Sequence, residues 1–229
     1  MEQVTETFDL RATPLRQVNA ALHAPGLSGR YIVENPQGAH SVAVGLNSPV
    51  KVEINGNVGY YAAGMNQRAE VTVNGSAGTG VAENMMSGMV WVKGNASQSA
   101  GATAHGGLLV IDGDAAARCG ISMKGADIVV GGNIGHMSAF MAQAGRLVVR
   151  GDAGEALGDS IYEARIYVRG SVKGLGADCV PKEMRAEHVE ELTGLLKAAG
   201  FEDDDPLSYT RYGSARTLYH FHAGNSSVY

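Results

Sequence analysis

The side chains best suited to metal binding or acid–base chemistry are scattered along this 229-residue chain. No two histidines are separated by three residues and no two cysteines by two, so the spacing predicts no metal site within one element. His220 and His222 could share one face of an extended tail, although polar surface histidines are the simpler interpretation. The other histidines stand in dissimilar contexts, at His23, His40, His105, His136 and His188.

Two cysteines, Cys119 and Cys179, are the only candidate thiol nucleophiles. A thiol needs a neighbouring base to become an efficient nucleophile, and no such base is indicated beside Cys119. Two cysteines do not make a disulfide framework, and an intracellular thiol in a packed wall is the simpler interpretation. We therefore predict no catalytic, cofactor-binding or metal-binding residue on this chain.

Two glycine-rich stretches look like fragments of phosphate-binding loops, Gly131 to Gly135 and Gly151 to Gly154. A phosphate loop needs a following helix whose N-terminus faces the anion. The glycines instead belong to a short repeat that leaves no room for such a helix. We therefore interpret them as structural.

The repeat dominates the middle of the chain. A glycine recurs at a strict interval of nineteen residues, and a β-branched aliphatic precedes each glycine by two positions. The glycines are Gly56, Gly75, Gly94, Gly113, Gly132, Gly151 and Gly170; the aliphatics are Ile54, Val73, Val92, Ile111, Val130, Val149 and Val168. Another aliphatic precedes each glycine by four, and a small or aliphatic residue follows it by two. Such a period predicts a solenoid.

Each repeat predicts one short strand with an inward face, followed by a turn in which glycine supplies an unrestricted φ. Small residues seven and thirteen positions after each glycine predict two further bends or close approaches. A nineteen-residue unit cannot bury its own apolar face, but stacking at about 4.8 Å would bury it. We predict an all-β fold, a right-handed parallel β-helix of seven coils about 30 Å long.

Residues 1–50 are predicted to form an N-terminal cap, with a helix at Leu15 to Ala24 and strands at Arg30 to Val33 and Ser41 to Val44. The β-helix should occupy residues 51–180. Residues 181–200 contain an amphipathic helix from Lys182 to Ala199, which we expect to cover the open end of the solenoid, with Gly200 ending it. Residues 201–229 form an aromatic tail that is expected to lie on a surface.

One apolar side chain per coil is predicted to point outward between the inward aliphatics, on five consecutive coils: Trp91, Val110, Val129, Val148 and Tyr167. A solvated wall would normally carry polar residues here, so the stripe should be covered. Its cover is expected to be the aromatic tail, a partner subunit, or both.

The bulk properties narrow the functional class. The net charge of −5 argues against binding to nucleic acid or to an anionic membrane. The acidic N-terminus does not resemble a signal peptide, and no apolar run is long enough to span a bilayer. A cytoplasmic location is therefore expected.

The repeat resembles a known family. Coils of the form Gly-x-x-Gly, such as Gly56 to Gly59, Gly75 to Gly78 and Gly132 to Gly135, are similar to the GXGXG domain that closes the large subunit of glutamate synthase. A similar domain forms one of the subunits of formylmethanofuran dehydrogenase. The free-standing size and the stretch Arg211 to Arg216 most resemble the small subunits of N-methylglutamate synthase, also called methylamine–glutamate N-methyltransferase.

This resemblance implies a non-catalytic structural subunit of a multi-subunit enzyme. One partner would resemble the glutamine-amidotransferase domain of glutamate synthase, and another its synthase domain, which carries FMN and an iron–sulfur cluster. The assembly would convert glutamate and methylamine to N-methylglutamate and ammonia during methylamine utilisation. No cofactor is expected on the present chain.

The alternative is a stand-alone enzyme on a left-handed β-helix, such as an acyltransferase. That fold needs an aliphatic residue two positions before every bend. The corresponding residues before the second bend are not aliphatic, namely Tyr61, Gly80, Ser99, Arg118, Met137 and Ala156. The pattern therefore favours the scaffold interpretation.

Overall fold

The computed structural model describes residues 4–218. Its helices are α1 (Leu15–Leu22) and α2 (Ala186–Ala198), with a 3₁₀ turn at Pro206–Ser208. Its strands are β1 (Val4–Asp9), β2 (Gly29–Glu34), β3 (Val50–Asn55), β4 (Glu70–Val73), β5 (Met89–Val92), β6 (Leu108–Ile111), β7 (Lys124–Val130), β8 (Ala144–Val149), β9 (Arg165–Val168), β10 (Cys179–Lys182) and β11 (Thr210–Ser214).

Strands β1 to β9 pair in chain order, each parallel to the next. From β3 onward the register advances by the nineteen-residue period, as in Val52 opposite Val71 and Val71 opposite Val90. A second ladder of parallel bridges joins the position two after each glycine, from Val58 through Ala77 to Val172. The predicted parallel β-solenoid, with about seven regular turns, is confirmed.

The core consists of the inward side chains of the stacked strands. The aliphatic residue two before each periodic glycine is fully buried in every coil. A β-branched residue at this position suits a strand and also packs against its counterparts in the coils above and below. The repeat is therefore stabilised by contacts between coils, as the period predicted.

The periodic glycines are needed for a different reason from the predicted one. Only Gly56 has a positive φ, of 134°, whereas the six that follow it have no left-handed backbone. A Cβ on Gly75 would lie 2.6 Å from the carbonyl carbon of Gly56 in the preceding coil. The first bend therefore selects glycine because two backbones pass too closely for a side chain.

The second bend does use the left-handed region. Ala63, Ala82 and Ala139 have φ values of 52°, 56° and 57°, and glycine takes the equivalent position in three other coils. Here the small residues expected from the repeat coincide with left-handed backbone, and their N–H groups bond to the preceding coil, as in Ala82 N–H to Ala62 O at 3.0 Å.

The ladder begins before the strict repeat. β1 and β2 are its first two strands, and residues 29–49 complete a coil of their own. The predicted strand from Ser41 to Val44 is wrong: this segment is a turn, and Ser41 and Ala43 have φ values of 57° and 56°, like the second bend of later coils. Gly29 pairs with Val50, an offset of 21 residues that hides this coil from a nineteen-residue search.

The chain closes the last coil with a strand. β11 pairs antiparallel with β9, and β10 then pairs antiparallel with β11. Because Lys182 belongs to β10, α2 begins only at Ala186. Gly200, with φ 76°, follows the helix as predicted. The prediction that this helix covers the open end is wrong, because α2 packs against the outer wall.

Candidate functional site

The outward apolar stripe is covered by helix α2. Val110, Val129, Val148 and Tyr167 are fully buried. The residues packed over them are Leu192, Leu195, Leu196, Ala199 and Tyr209. The tail thus contributes Tyr209, and Phe201 packs at the margin, while Tyr219, Phe221 and Tyr229 lie outside the described residues. The expected tail or partner cover is therefore corrected: the main cover is the amphipathic helix.

Trp91 lies at the margin of this covered wall and is half-buried. Its indole N–H donates to Asp112 Oδ1 at 2.6 Å, and Lys93 Nζ lies 3.5 Å from the ring centroid. An N–H donor with a carboxylate partner and a cation over the ring suits an indole at a partly wet edge.

Two carboxylates fasten the covering segment to the coils. Glu191 on α2 accepts a hydrogen bond from the Tyr167 hydroxyl at 2.6 Å and one from Arg165 at 2.5 Å. Burial raises the pKa of the Tyr167 phenol, and the bond to Glu191 adds to that rise. The helix is therefore held by polar contacts as well as by its apolar face.

Asp204 is the second anchor. It accepts a bidentate pair from Arg150 at 2.7 and 2.8 Å, a bond from Arg169 at 3.0 Å and one from the Tyr209 hydroxyl at 2.7 Å. These donors, above all Arg150, lower the pKa of Asp204 to about 2 despite its burial.

Neither cysteine is placed as a reactive nucleophile. Both are free and buried, and burial raises the pKa of each thiol to about 12. The thiolate is the reactive form, so such a group is inert while the fold is intact.

The described histidines are not assembled into one site. His23 Nε2 lies 2.8 Å from Val44 O, His40 Nδ1 accepts from Tyr60 N–H at 2.8 Å, and His188 Nδ1 accepts from Arg185 N–H at 3.2 Å. His220 and His222 lie outside the described residues. Among residues 4–218, no group of three His, Cys, Asp or Glu side chains is arranged to hold a metal ion.

The stretches that look like phosphate loops form a side-chain ladder instead. Asn133 Oδ1 accepts the Asp152 N–H at 2.8 Å, and Asp152 Oδ1 accepts the Ser171 N–H at 2.7 Å. The same bond links the polar residue after each earlier periodic glycine to the next coil, beginning at Asn57. These polar side chains therefore satisfy backbone donors along one edge.

A polar cleft of about 380 Å³ lies beyond the N-terminal end of α2, beside the last strands. Five cationic side chains and two carboxylates line it, together with His188, Tyr162 and Gly213. The cations are Arg165, Lys182, Arg185, Arg211 and Arg216; the carboxylates are Glu163 and Glu187. The sequence reasoning missed this cleft. Its one signal was the stretch Arg211 to Arg216, which placed two arginines in one short segment.

A second, more apolar groove of about 300 Å³ lies on the wall of the second bends in the early coils. Tyr61 and Met65 line it and remain 46% and 51% exposed, far more than the apolar stripe under α2. Burial raises the pKa of Glu83 at the same groove. Within residues 4–218, this is the apolar wall that the chain leaves uncovered most conspicuously.

None of the helices in residues 4–218 combines the length and the hydrophobicity needed to cross a bilayer. No protein-family model matches the chain. Among curated proteins it is similar to protein GlxC of Rhizobium meliloti (strain 1021), with 62% identity over 227 residues. The match covers 97% of this chain and 99% of the relative, and so takes in the N-terminal strands, the coils and helix α2. At this identity and coverage, the chain belongs to the protein GlxC family.

Proposed function

We propose that this chain is a scaffold subunit of a glutamate-synthase-like enzyme, in which it carries no catalytic residue. The observation that carries the proposal is the unbroken stack of glycine coils. Each periodic glycine passes the backbone of the preceding coil too closely for a side chain, and each following polar residue bonds to the next coil. The residues that carry the resemblance to the GXGXG domain thus serve to build a rigid rod.

The finer proposal concerns the reaction and the partners. The assembly is an N-methylglutamate synthase, which exchanges the amino group of glutamate for methylamine and releases ammonia. One partner is an amidotransferase-like subunit, and the other holds FMN and an iron–sulfur cluster. The stretch Arg211 to Arg216 and the free-standing β-helix support this choice through their resemblance to the small subunits of that enzyme.

The uncovered Tyr61 groove is a suitable contact for such a partner. Its apolar side chains stand on coils that are tied to both neighbours by backbone hydrogen bonds, as at Tyr61 N–H to Thr79 O and Ala63 N–H to Val42 O. A rigid apolar surface loses little conformational entropy when a partner covers it.

The proposal is tested by purifying the tagged chain from its host under native conditions and identifying the chains that accompany it. We expect amidotransferase-like and synthase-like subunits, flavin absorbance, iron, and formation of N-methylglutamate from glutamate and methylamine. The same tag on the chain expressed alone should give neither flavin nor iron nor turnover. Isolation from the host without such companions, or turnover by the chain alone, would contradict the proposal.

A further inference from the structure

Helix α2 and strands β9, β10 and β11 bring cations together on one sheet face. Lys182 on β10 lies directly opposite Arg211 on β11. Directly opposite residues of an antiparallel pair project to the same side, so the two cations are neighbours. On β9, Arg165 lies two residues from Tyr167, the residue opposite Arg211, and shares this face. Three adjacent strands therefore present Arg165, Arg211 and Lys182 side by side.

These charges are only partly compensated. Arg165 is paired with Glu191, and Arg216 with Glu163 at 2.9 Å. Within the described part of the chain, Lys182 and Arg211 make no ion pair; the Arg211 Nε donates only to the Glu183 carbonyl, at 2.9 Å. Like charges directly opposite each other destabilise a sheet. Burial lowers the pKa of Arg211, and the nearby Arg165 and Arg185 charges lower it further.

The first turn of α2 faces the same cleft and adds hydrogen-bond donors. The His188 Nδ1 accepts the Arg185 N–H, which places the ring proton of a neutral imidazole on Nε2. The amino end of a thirteen-residue helix also carries a positive partial charge. Side chains, helix and sheet therefore impose a potential of one sign on a cleft in a chain whose net charge is −5.

The cleft also has room for a ligand. Gly213 occupies a strand position on β11 where a Cβ would meet nothing closer than 3.6 Å, the distance to Lys182 Cγ, and its backbone is not left-handed. No close approach demands glycine here, and its missing side chain leaves the middle of the cationic face open. The volume of about 380 Å³ is that of a small-molecule site.

We propose that this cleft binds a small oxyanion with at least two acidic groups, of the phosphate or carboxylate type, through Arg211, Lys182, Arg165 and the His188 Nε2–H. Guanidinium groups recognise both carboxylates and phosphates by bidentate hydrogen bonding. The proposal concerns a site on this chain alone and does not depend on the proposed partners.

The test is isothermal titration of the full chain with inorganic pyrophosphate and, separately, with citrate, at matched ionic strength and with sodium chloride as the blank. We expect saturable binding of one anion per chain, weakened at least about tenfold by Arg211→Gln and by Lys182→Gln. The matched control is Arg68→Gln, which removes the same charge from an exposed site and should leave affinity within about twofold.

Binding of pyrophosphate alone would identify a phosphate ligand, and binding of citrate alone a carboxylate ligand; binding of both would identify a general oxyanion site. Melting temperatures without anion check the fold, since Lys182→Gln removes a repulsion and should not lower stability. The proposal is overturned if neither anion gives saturable binding, or if folded Arg211→Gln and Lys182→Gln bind as tightly as Arg68→Gln.

Discussion

The Tyr167 hydroxyl donates a hydrogen bond of 2.6 Å to Glu191 Oε1, and this bond joins the outer wall of the last coil to the covering helix. Tyr167 is fully buried and is the last member of the apolar stripe. Its ring therefore continues the apolar contact with α2, while its hydroxyl reaches the polar edge of that contact. A phenylalanine could make the first contact but not the second.

Tyr167→Phe should lower the free energy of unfolding by about 1–2 kcal/mol, because a buried hydrogen bond to a charged acceptor is lost. Urea denaturation of the isolated chain measures the change. The control is Tyr60→Phe, which removes the same hydroxyl from a side chain that is 53% exposed. An equal loss of stability in the two variants would show that the bond to Glu191 adds nothing.

The role of the periodic glycines predicts opposite effects for two glycine-to-alanine changes. Gly75→Ala should destabilise the protein by at least about 1 kcal/mol, since the new Cβ meets the Gly56 backbone 2.6 Å away and a backbone cannot step aside as a side chain can. Gly194→Ala, inside α2 and with no atom within 4 Å, should stabilise it by up to about 1 kcal/mol. Thermal denaturation of both variants checks this. Equal stability of Gly75→Ala and wild type would refute the close approach of the coils.

Much of the coil stack could be predicted from sequence, because a stack repeats the same local problem. The strand position of Val92 and the close approach at Gly94 recur nineteen residues later at Ile111 and Gly113. The period cannot say whether a glycine serves a free φ or a tight contact, since both exclude a side chain. That distinction came only from the positions of neighbouring backbones.

Asp204 predicts a pH dependence of stability. Its donors, led by Arg150, lower its pKa from an ordinary 3.8 to about 2 in the folded chain. Their contribution, about 2 kcal/mol, should be fully present above about pH 4 and should disappear as the pH falls through 2. Asp204→Asn should therefore be less stable than wild type near neutral pH, with the difference shrinking in acid. Asp203→Asn, at an exposed neighbour, is the control. A difference that stayed constant from neutral pH to pH 2 would contradict the assignment.

The burial of Cys119 predicts a chemically silent thiol. Because burial raises its pKa to about 12, the folded chain should react with a disulfide reagent at about pH 8 at least a hundredfold more slowly than the unfolded chain. The measurement is thiol titration with and without guanidinium chloride, using Cys119→Ser and Cys179→Ser to assign each thiol. Rapid reaction of Cys119 in the folded chain would reopen the question of a nucleophile.

The sequence reasoning failed where contacts depend on elements distant along the chain. The outward stripe was identified correctly as covered, but Val129 meets a helix that begins more than fifty residues later. The cationic cleft was missed for the same reason, since Arg165, Lys182 and Arg211 become neighbours only when β11 inserts between β9 and β10. An antiparallel closing strand leaves no trace in a parallel period.

The central claim is that this chain supports an enzyme without supplying its chemistry, and genetic removal followed by add-back tests it most directly. Partner subunits purified from a host lacking this chain should not form N-methylglutamate until the purified chain is added. Cys119→Ser and His136→Ala should restore activity to within about threefold of wild type. The double variant Tyr61→Glu with Met65→Glu, which charges the apolar groove, should fold but fail to assemble, whereas Arg118→Glu on the same wall should assemble. Full activity without the chain, or a hundredfold loss with Cys119→Ser or His136→Ala in an intact complex, would contradict the account.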